Sequence, residues 1–416
     1  MNLKPKTDFT RNVLTLMTGT TIAQTIPIAI SPILTRLYSP QDFGVFALFI
    51  AISAIFSSIA TGRYEYAIML PKKNDQAVNI FALGLIITST ISLTLLILIL
   101  IFHSYLIILL GNSNIGLWLY FIPFTVFFTG LYNLLNYYNN RLKQYKILAN
   151  ATIIKSIATA VIQLIIGFLY EGVVGLISGQ LLSQVFANGK LLKTIIKDKI
   201  IVSKIKILVL AKKYKDFPKF SMWSNLINTS SVHLTNILIS LFYSLSTLGL
   251  YSLVQRVLGL PTSLIGHAMG QVFFQEAVNE KLHTGGCIKT FQATIKKLIL
   301  IAIPSFTIFY YIIEDIFELV FGSEWRIAGT YAQILIPLYF ANFISSPLAI
   351  ITSVFQKQKV SLLINSILIS TSTSIIYLSH IYGFTFINTL FYLSYAMMIN
   401  YFLFIIYYNV LSKGNV

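Results

Sequence analysis

The chain has 416 residues, 56% of them hydrophobic and only 10% charged, with a mean hydropathy of +0.78. Soluble domains carry about 25% charged residues, so a soluble globular enzyme is excluded. The net charge of +17 invites a nucleic-acid partner, but the cations are spread over many short gaps between apolar runs, so membrane topology explains them and no nucleic acid is implied.

A bilayer core about 30 Å thick needs roughly 20 apolar residues per helix. About twelve such runs are predicted, at 13–37, 43–61, 77–101, 116–138, 147–169, 173–189, 220–242, 248–273, 297–319, 330–354, 361–380 and 385–409. Strand-period alternation is absent, which excludes an outer-membrane barrel. The expected fold is an all-α membrane protein with about twelve transmembrane helices in two six-helix bundles.

Lys and Arg occupy alternate gaps. Lys4, Lys6 and Arg11 precede the first run; Arg63, Lys72 and Lys73 follow the second; Arg141, Lys143 and Lys146 follow the fourth. A dense block runs from Lys190 to Lys219, and further basic gaps hold Lys281, Lys289, Lys296 and Lys297, then Lys357 and Lys359, then Lys413. The intervening gaps hold almost none, Arg326 excepted. Short Lys/Arg-rich loops stay cytoplasmic, so both termini are expected there. The first apolar run is too long for a cleaved signal peptide and reads as a membrane helix. Cys287 is the single cysteine, so no disulfide framework exists.

The basic block divides the chain into an expected bundle at 1–189, a cytoplasmic linker at 190–219 and a second bundle at 220–416. That block reads either as a solvated linker or as an amphipathic helix on anionic lipid or an acidic partner. Weak echoes cross it. Tyr38, Ser39, Gly44 and Leu48 fall on Tyr243, Ser244, Gly249 and Leu253; Ile122-Pro123 falls on Ile336-Pro337, and Lys143-Gln144 on Lys357-Gln358. Duplicated halves of six helices each would be related by an axis along the membrane normal, with substrate expected between them.

Polar side chains inside hydrocarbon are costly unless they face a cavity or a partner. The seventh run places Ser224, Asn228, Ser231 and Thr235 on one helix face, with Asn225, Thr229 and Asn236 beside it and His233 near mid-depth. The first run offers Thr18, Thr21, Gln24 and Thr25, and the fourth Asn133, Asn136 and Asn140. These faces are expected to line a hydrophilic cavity; interhelical hydrogen bonding is the alternative. His233 is either a protonatable coupling group or a hydrogen-bonded packing residue.

Lys155 and Arg256 each lie about eight residues into an apolar run, roughly 12 Å deep, and Arg36 is shallower. No Asp or Glu sits at comparable depth. Cations without a resident anion point to an anionic substrate, and snorkelling to the interface is the alternative. No Walker A loop, HExxH or metal-ligand cluster appears, and no long periplasmic loop exists to house glycosyl transfer. No cofactor is implied.

Several stretches carry a resemblance. SPILTRLYSPQDFGVFALF at 31–49, GRYEYAIMLPK at 62–72, LNYYNNRLKQYK at 135–146, LGLYSLVQRVLGLPTSLIGHAMGQVFFQEA at 248–277 and FGSEWRIAGTYAQILIPLYF at 321–340 resemble the bacterial polysaccharide exporters of the O-antigen flippase type. Those belong to a superfamily with the lipid II flippases and the multidrug and toxin extrusion transporters. The resemblance covers essentially the whole chain. It implies a non-enzymatic flippase in the bacterial inner membrane, serving O-antigen, lipopolysaccharide or related surface glycan synthesis. The implied substrate is an oligosaccharide on undecaprenyl diphosphate, with membrane lipids and a polysaccharide polymerase and chain-length regulator as further partners. Arg36, Arg63, Glu65 and Arg256 would face the cavity or its gates. The rival readings are a drug/cation antiporter of the same fold, which would favour cavity carboxylates, and a membrane polysaccharide polymerase.

Overall fold

The computed structural model describes residues 8–197 and 202–414, and every described element is helical. Lys4, Lys6 and Lys199, and with them the expected placement of the two termini, lie outside the described residues. The chain forms two compact units, Met1–His233 and Leu234–Val416.

The first unit opens with α1 (Asp8–Ala29), broken from α2 (Ser31–Leu37) at Ile30. Pro27 inside α1 and Pro32 at the start of α2 each remove a backbone donor, which explains the break. Then come α3 (Pro40–Ser57), a short α4 (Tyr64–Ala67), α5 (Asn74–Leu109), α6 (Gly116–Leu119), α7 (Ile122–Arg141), α8 (Tyr145–Leu169), α9 (Val174–Lys197) and α10 (Lys204–Lys213). The next helix, α11 (Met222–Phe242), contains the division between the units. The core of the first unit joins Ile80, Leu134, Tyr138, Leu148 and Leu191 from α5, α7, α8 and α9, all buried. Ile207 and Leu210 of α10 join the same cluster, so the basic segment docks on this unit rather than spanning free solvent.

The second unit continues with α12 (Leu245–Pro261), a π-helical turn at Thr262–Gly266, α13 (His267–Thr284), α14 (Ile288–Phe321), α15 (Arg326–Leu348), α16 (Ile351–Val354), α17 (Gln358–Ile381) and α18 (Phe386–Ser412). α15 is its centre, packing against α12, α14 and α18.

Each predicted run falls on a helix. Eight described spans are long and apolar enough to cross a membrane; the bent pair Ser113–Leu119 and Ile122–Arg141, angled at 50°, makes a ninth. The runs at 13–37, 173–189 and 220–242 also fold as helices but fall outside that measure, being richer in Thr and Gln (the first), Gln, Asn, Ser and Gly (the second) and Asn and Ser (the third).

The echoes in sequence meet structural counterparts within each unit. Tyr38 donates its hydroxyl to the Gln163 carbonyl at 2.6 Å, and Ser39 caps α3 by accepting from the Asp42 amide. Tyr243 bonds the Thr389 hydroxyl at 2.6 Å, and Ser244 caps α12 by accepting from the Thr247 amide. The serine cap therefore recurs, while the tyrosine's partner differs, a backbone carbonyl of α8 in one unit and a hydroxyl of α18 in the other. The Lys-Gln echo is one residue out of register. Left-handed Lys143 (φ 58°) precedes α8, and its counterpart before α17 is left-handed Gln356 (φ 55°). The following residues, Gln144 and Lys357, match in backbone (ψ 52° and 53°). The Ile-Pro echo does not correspond: Pro123 sits in the first turn of α7, while Pro337 lies inside α15.

Candidate functional site

In the first unit the polar face of α7 lies between two flanking groups. Successive helical residues rotate by about 100°, so Tyr132, Asn136, Asn140, Asn133 and Tyr137 share one face in that angular order. Tyr132 forms the edge toward α8. Its hydroxyl lies 3.3 Å from the Thr152 hydroxyl, and the Lys155 ammonium sits 5.0 Å from its ring centroid. Tyr137 forms the other edge and stacks obliquely on Tyr66, centroids 4.8 Å apart. Asn133 and Asn136 are half-buried and make no hydrogen bond among the described residues. That leaves two amides between two aromatic rings.

Beside Tyr66 stands a tight charged knot. Gly62 and Arg63 are both left-handed (φ 59° and 62°), which turns the chain sharply between α3 and α4. The Arg63 guanidinium reaches Glu65 at 3.4 Å, donates to the Tyr66 hydroxyl at 2.8 Å and lies 4.3 Å from that ring's centroid. Glu65, at 3% exposure, also accepts from the Thr61 hydroxyl. The charges of Arg63 and Glu65 thus neutralise each other. The Arg63 Nε is buried and lacks an acceptor.

Lys155 is different. It is half-buried and makes no ion pair among the described residues; an aromatic face is its neighbour. A cation over a ring is stabilised by the quadrupole and still accepts an anion on its open side. Of the cations picked out by depth, Lys155 is the one the structure sets beside the asparagine face.

The remaining predicted residues are dispersed. Gln24 is half-buried on α1, whose opposite face packs on α8 through Gly19 and Ala23; Ser156 donates to the Ala23 carbonyl at 2.6 Å. Thr18, Thr20 and Thr25 turn their hydroxyls onto their own helix backbone. Arg36 is exposed and folds back toward the Pro32 carbonyl at 3.4 Å. Asn225 is committed on its amide nitrogen, donating to the Ser58 carbonyl at 3.0 Å, and Asn228 is exposed. His233 is half-buried, and its Nδ1 has no partner. In the second unit Arg256 is half-buried on α12, on a stretch with no carboxylate before Glu276. An apolar pocket of about 360 Å³ between α14, α15 and α18, lined by Phe306, Tyr310, Pro337, Phe340 and Phe402, contains none of these residues.

Tyr66, Tyr132 and Tyr137 are site residues that sequence reasoning did not single out. Tyrosines in membrane sequences ordinarily read as interfacial anchors. The available signal was the four-residue run Tyr137-Tyr138-Asn139-Asn140, in which one face (137, 140) is half-buried and the other (138, 139) is fully buried.

A family model described as "Polysaccharide biosynthesis protein" matches residues 33–330. The chain belongs to that family. Solved structures share the fold. They include the lipid II flippase MurJ in an inward closed conformation (15% identity, TM-score 0.75, covering 95% of this chain and 87% of that one). An inward-facing multidrug resistance MATE family transporter of the MOP superfamily gives 13% identity and a TM-score of 0.71, covering 96% of each chain. A MOP superfamily transporter from Pyrococcus furiosus, described as having a binding pocket of reversed polarity, gives 14% identity and a TM-score of 0.56 over 97% of this chain and 96% of that one. A search of curated proteins finds no match. This member of the polysaccharide biosynthesis family is therefore an all-α, multi-pass membrane protein with a transporter and flippase fold.

Proposed function

We propose that the chain flips an oligosaccharide linked to undecaprenyl diphosphate from the cytoplasmic to the periplasmic leaflet of a bacterial inner membrane, with both termini cytoplasmic. It would do so by exposing a hydrophilic, cationic face alternately to the two sides, and hand its product to the machinery that polymerises surface glycan. The observation that carries this reading is the half-buried polar face of α7, with open amides on Asn133 and Asn136 and the unpaired Lys155 ammonium at its edge.

The physical problem is to carry a diphosphate and several sugars through hydrocarbon while a long apolar tail stays in lipid. Lys155 supplies a point charge for a phosphate, and Arg256, in the second unit, is a second membrane-embedded cation with a planar fork of donors. Asn133 and Asn136 each offer a donor and an acceptor to sugar hydroxyls. Tyr137 offers a flat ring to the C–H face of a pyranose. Arg63 and Glu65 shape the wall and add no net charge.

Replacing Lys155 and Arg256 together by Gln is expected to abolish periplasmic delivery of the glycan, with cytoplasm-facing lipid-linked oligosaccharide accumulating at unchanged protein abundance. Wild-type surface glycan in that double variant overturns the charge-pairing role. The antiporter reading needs a carboxylate free to exchange protons and cations. Glu65, the buried carboxylate near this face, is held by Arg63 and Thr61, and this favours the anionic substrate.

A further inference from the structure

The lysine-rich segment after α9 has no role in the reading above. Its structure points to one. α10 packs its inner face, Ile207 and Leu210, into the core of the first unit. It is fastened there by Lys206 to Asp75 at 2.6 Å, by the Ser203 amide to the Asn79 side chain at 2.9 Å, and by the Tyr64 hydroxyl to the Ala211 carbonyl at 3.1 Å. The helix is therefore held in one orientation about its axis.

Its outer face is apolar and uncovered. Ile205, Leu208 and Val209 recur at three- and four-residue spacing and are 75%, 64% and 59% exposed, and Val202, two residues before the helix, is 50% exposed. Exposed lysines border that strip: Lys204 on one side, Lys206 and Lys213 on the other, and Lys212 at its C-terminal end. A water-facing helix of a folded protein does not present three branched aliphatics together on its outer side. Further along, Phe220 and Trp223 are also exposed, 61% and 56%, with the Lys219 ammonium 5.0 Å from the Phe220 ring. Aromatic rings beside lysines at the entry of a membrane helix are the usual markers of headgroup depth.

We infer that α10 lies in the headgroup layer of the leaflet it faces, with Val202, Ile205, Leu208 and Val209 among the upper acyl carbons and Lys204, Lys212 and Lys213 paired with anionic phospholipid. An apolar strip bordered by lysines is the pattern of an interfacial helix. Charge complementarity selects the lipid, because each lysine near an anionic surface contributes roughly fivefold in binding. α10 is clamped to α4 and α5, so it registers the first unit against the plane of the bilayer. The inference stands independently of the substrate proposed above.

The test uses the full chain with Cys287→Ser and Leu208→Cys, labelled with an environment-sensitive fluorophore. It is reconstituted in phosphatidylcholine vesicles with or without phosphatidylglycerol, part of the lipid carrying bromine on its acyl chains. Bromine quenching is expected to be strong with phosphatidylglycerol and at least about fivefold weaker without it, the contribution of one lysine being roughly that much. The dependence should disappear when Lys204, Lys212 and Lys213 are all changed to Gln, surface positions whose loss leaves the clamp intact. Equal quenching in the two vesicle types overturns the inference: low values in both indicate that the strip faces water or an acidic protein partner, and high values in both indicate insertion without anion selection. Phosphatidylglycerol-dependent quenching that survives the triple substitution overturns the assignment of the lysines.

Discussion

At the scale of single residues, the site is organised by which charges have partners. Arg63 and Glu65 hold each other in a nearly dry corner, so removing one exposes the cost of the other. Glu65→Gln should lower stability by about 3 kcal/mol, because it strands a half-buried guanidinium. The double change of Arg63→Gln with Glu65→Gln should cost less than the single one, and thermal unfolding in detergent distinguishes the two. Cys287 makes a separate, pH-linked prediction. Its thiol is fully buried in the turn before α14, and burial, with the Glu280 carboxylate nearby, pushes it up to about 11. A raised thiol pKa means that folding favours the protonated form. This contribution is present below the unfolded value near 8.5 and is lost as pH climbs from there toward 11, by roughly 3 kcal/mol in all. Maleimide labelling at pH 7.5 should therefore be slow until the protein is unfolded. Rapid labelling of the native protein contradicts the burial of this turn.

At the scale of elements, the Tyr-Ser corner shows how short motifs fix helix placement. Tyr38 lies between Gly167 of α8 and Gly175 of α9, and a methyl group added at Gly167 would lie 2.6 Å from the Tyr38 hydroxyl oxygen. Gly167→Ala should cost about 1–3 kcal/mol by overpacking, and Tyr38→Phe in the same chain should recover part of it. The clamp on α10 gives a contrasting case. Lys206 and Asp75 are both about half exposed, so Asp75→Asn should change stability by less than about 1 kcal/mol and be insensitive above moderate salt. Apolar run length made the helices legible in sequence, and Ser39 and Ser244 marked helix starts through their capping chemistry. Glu65 was less legible. It sits at the end of a run, where a carboxylate ordinarily reaches water, and only the left-handed turn at Gly62-Arg63 folds it inward. The asparagine stripe of α7 could be read from spacing. The tyrosines at its edges could not, because their neighbours Lys155 and Tyr66 come from elements that only tertiary packing brings close.

At the scale of the whole molecule, alternating lysine-rich gaps and twelve apolar runs lead to a transporter fold without any catalytic motif, and the family match agrees with that. The finer count depends on the more polar helices, since α1, α9 and α11 are the ones length and hydropathy do not select. Such helices are expensive in lipid and gain their stability from neighbours. On α7, by contrast, Asn133→Ala with Asn136→Ala separates transport from packing. Glycan delivery should fall at least tenfold, roughly the loss of one net hydrogen bond at each amide, while the melting temperature stays unchanged, because neither amide has a partner among the described residues to lose.

The one-residue slip between the repeated left-handed pivots bears on ancestry. Residues after Gln356 are offset from their first-half counterparts by 213 positions along the backbone, although the letters align at 214. On a helix that single step is a rotation of about 100°. A comparison of the two halves by letters alone would transfer every property of α8 to the wrong side of α17. In either register the position matching Lys155 is aliphatic, Leu368 or Ile369. The two units therefore share a serine cap and a left-handed pivot while differing in charge, and a chimera that replaced α8 with α17 would lose the cation.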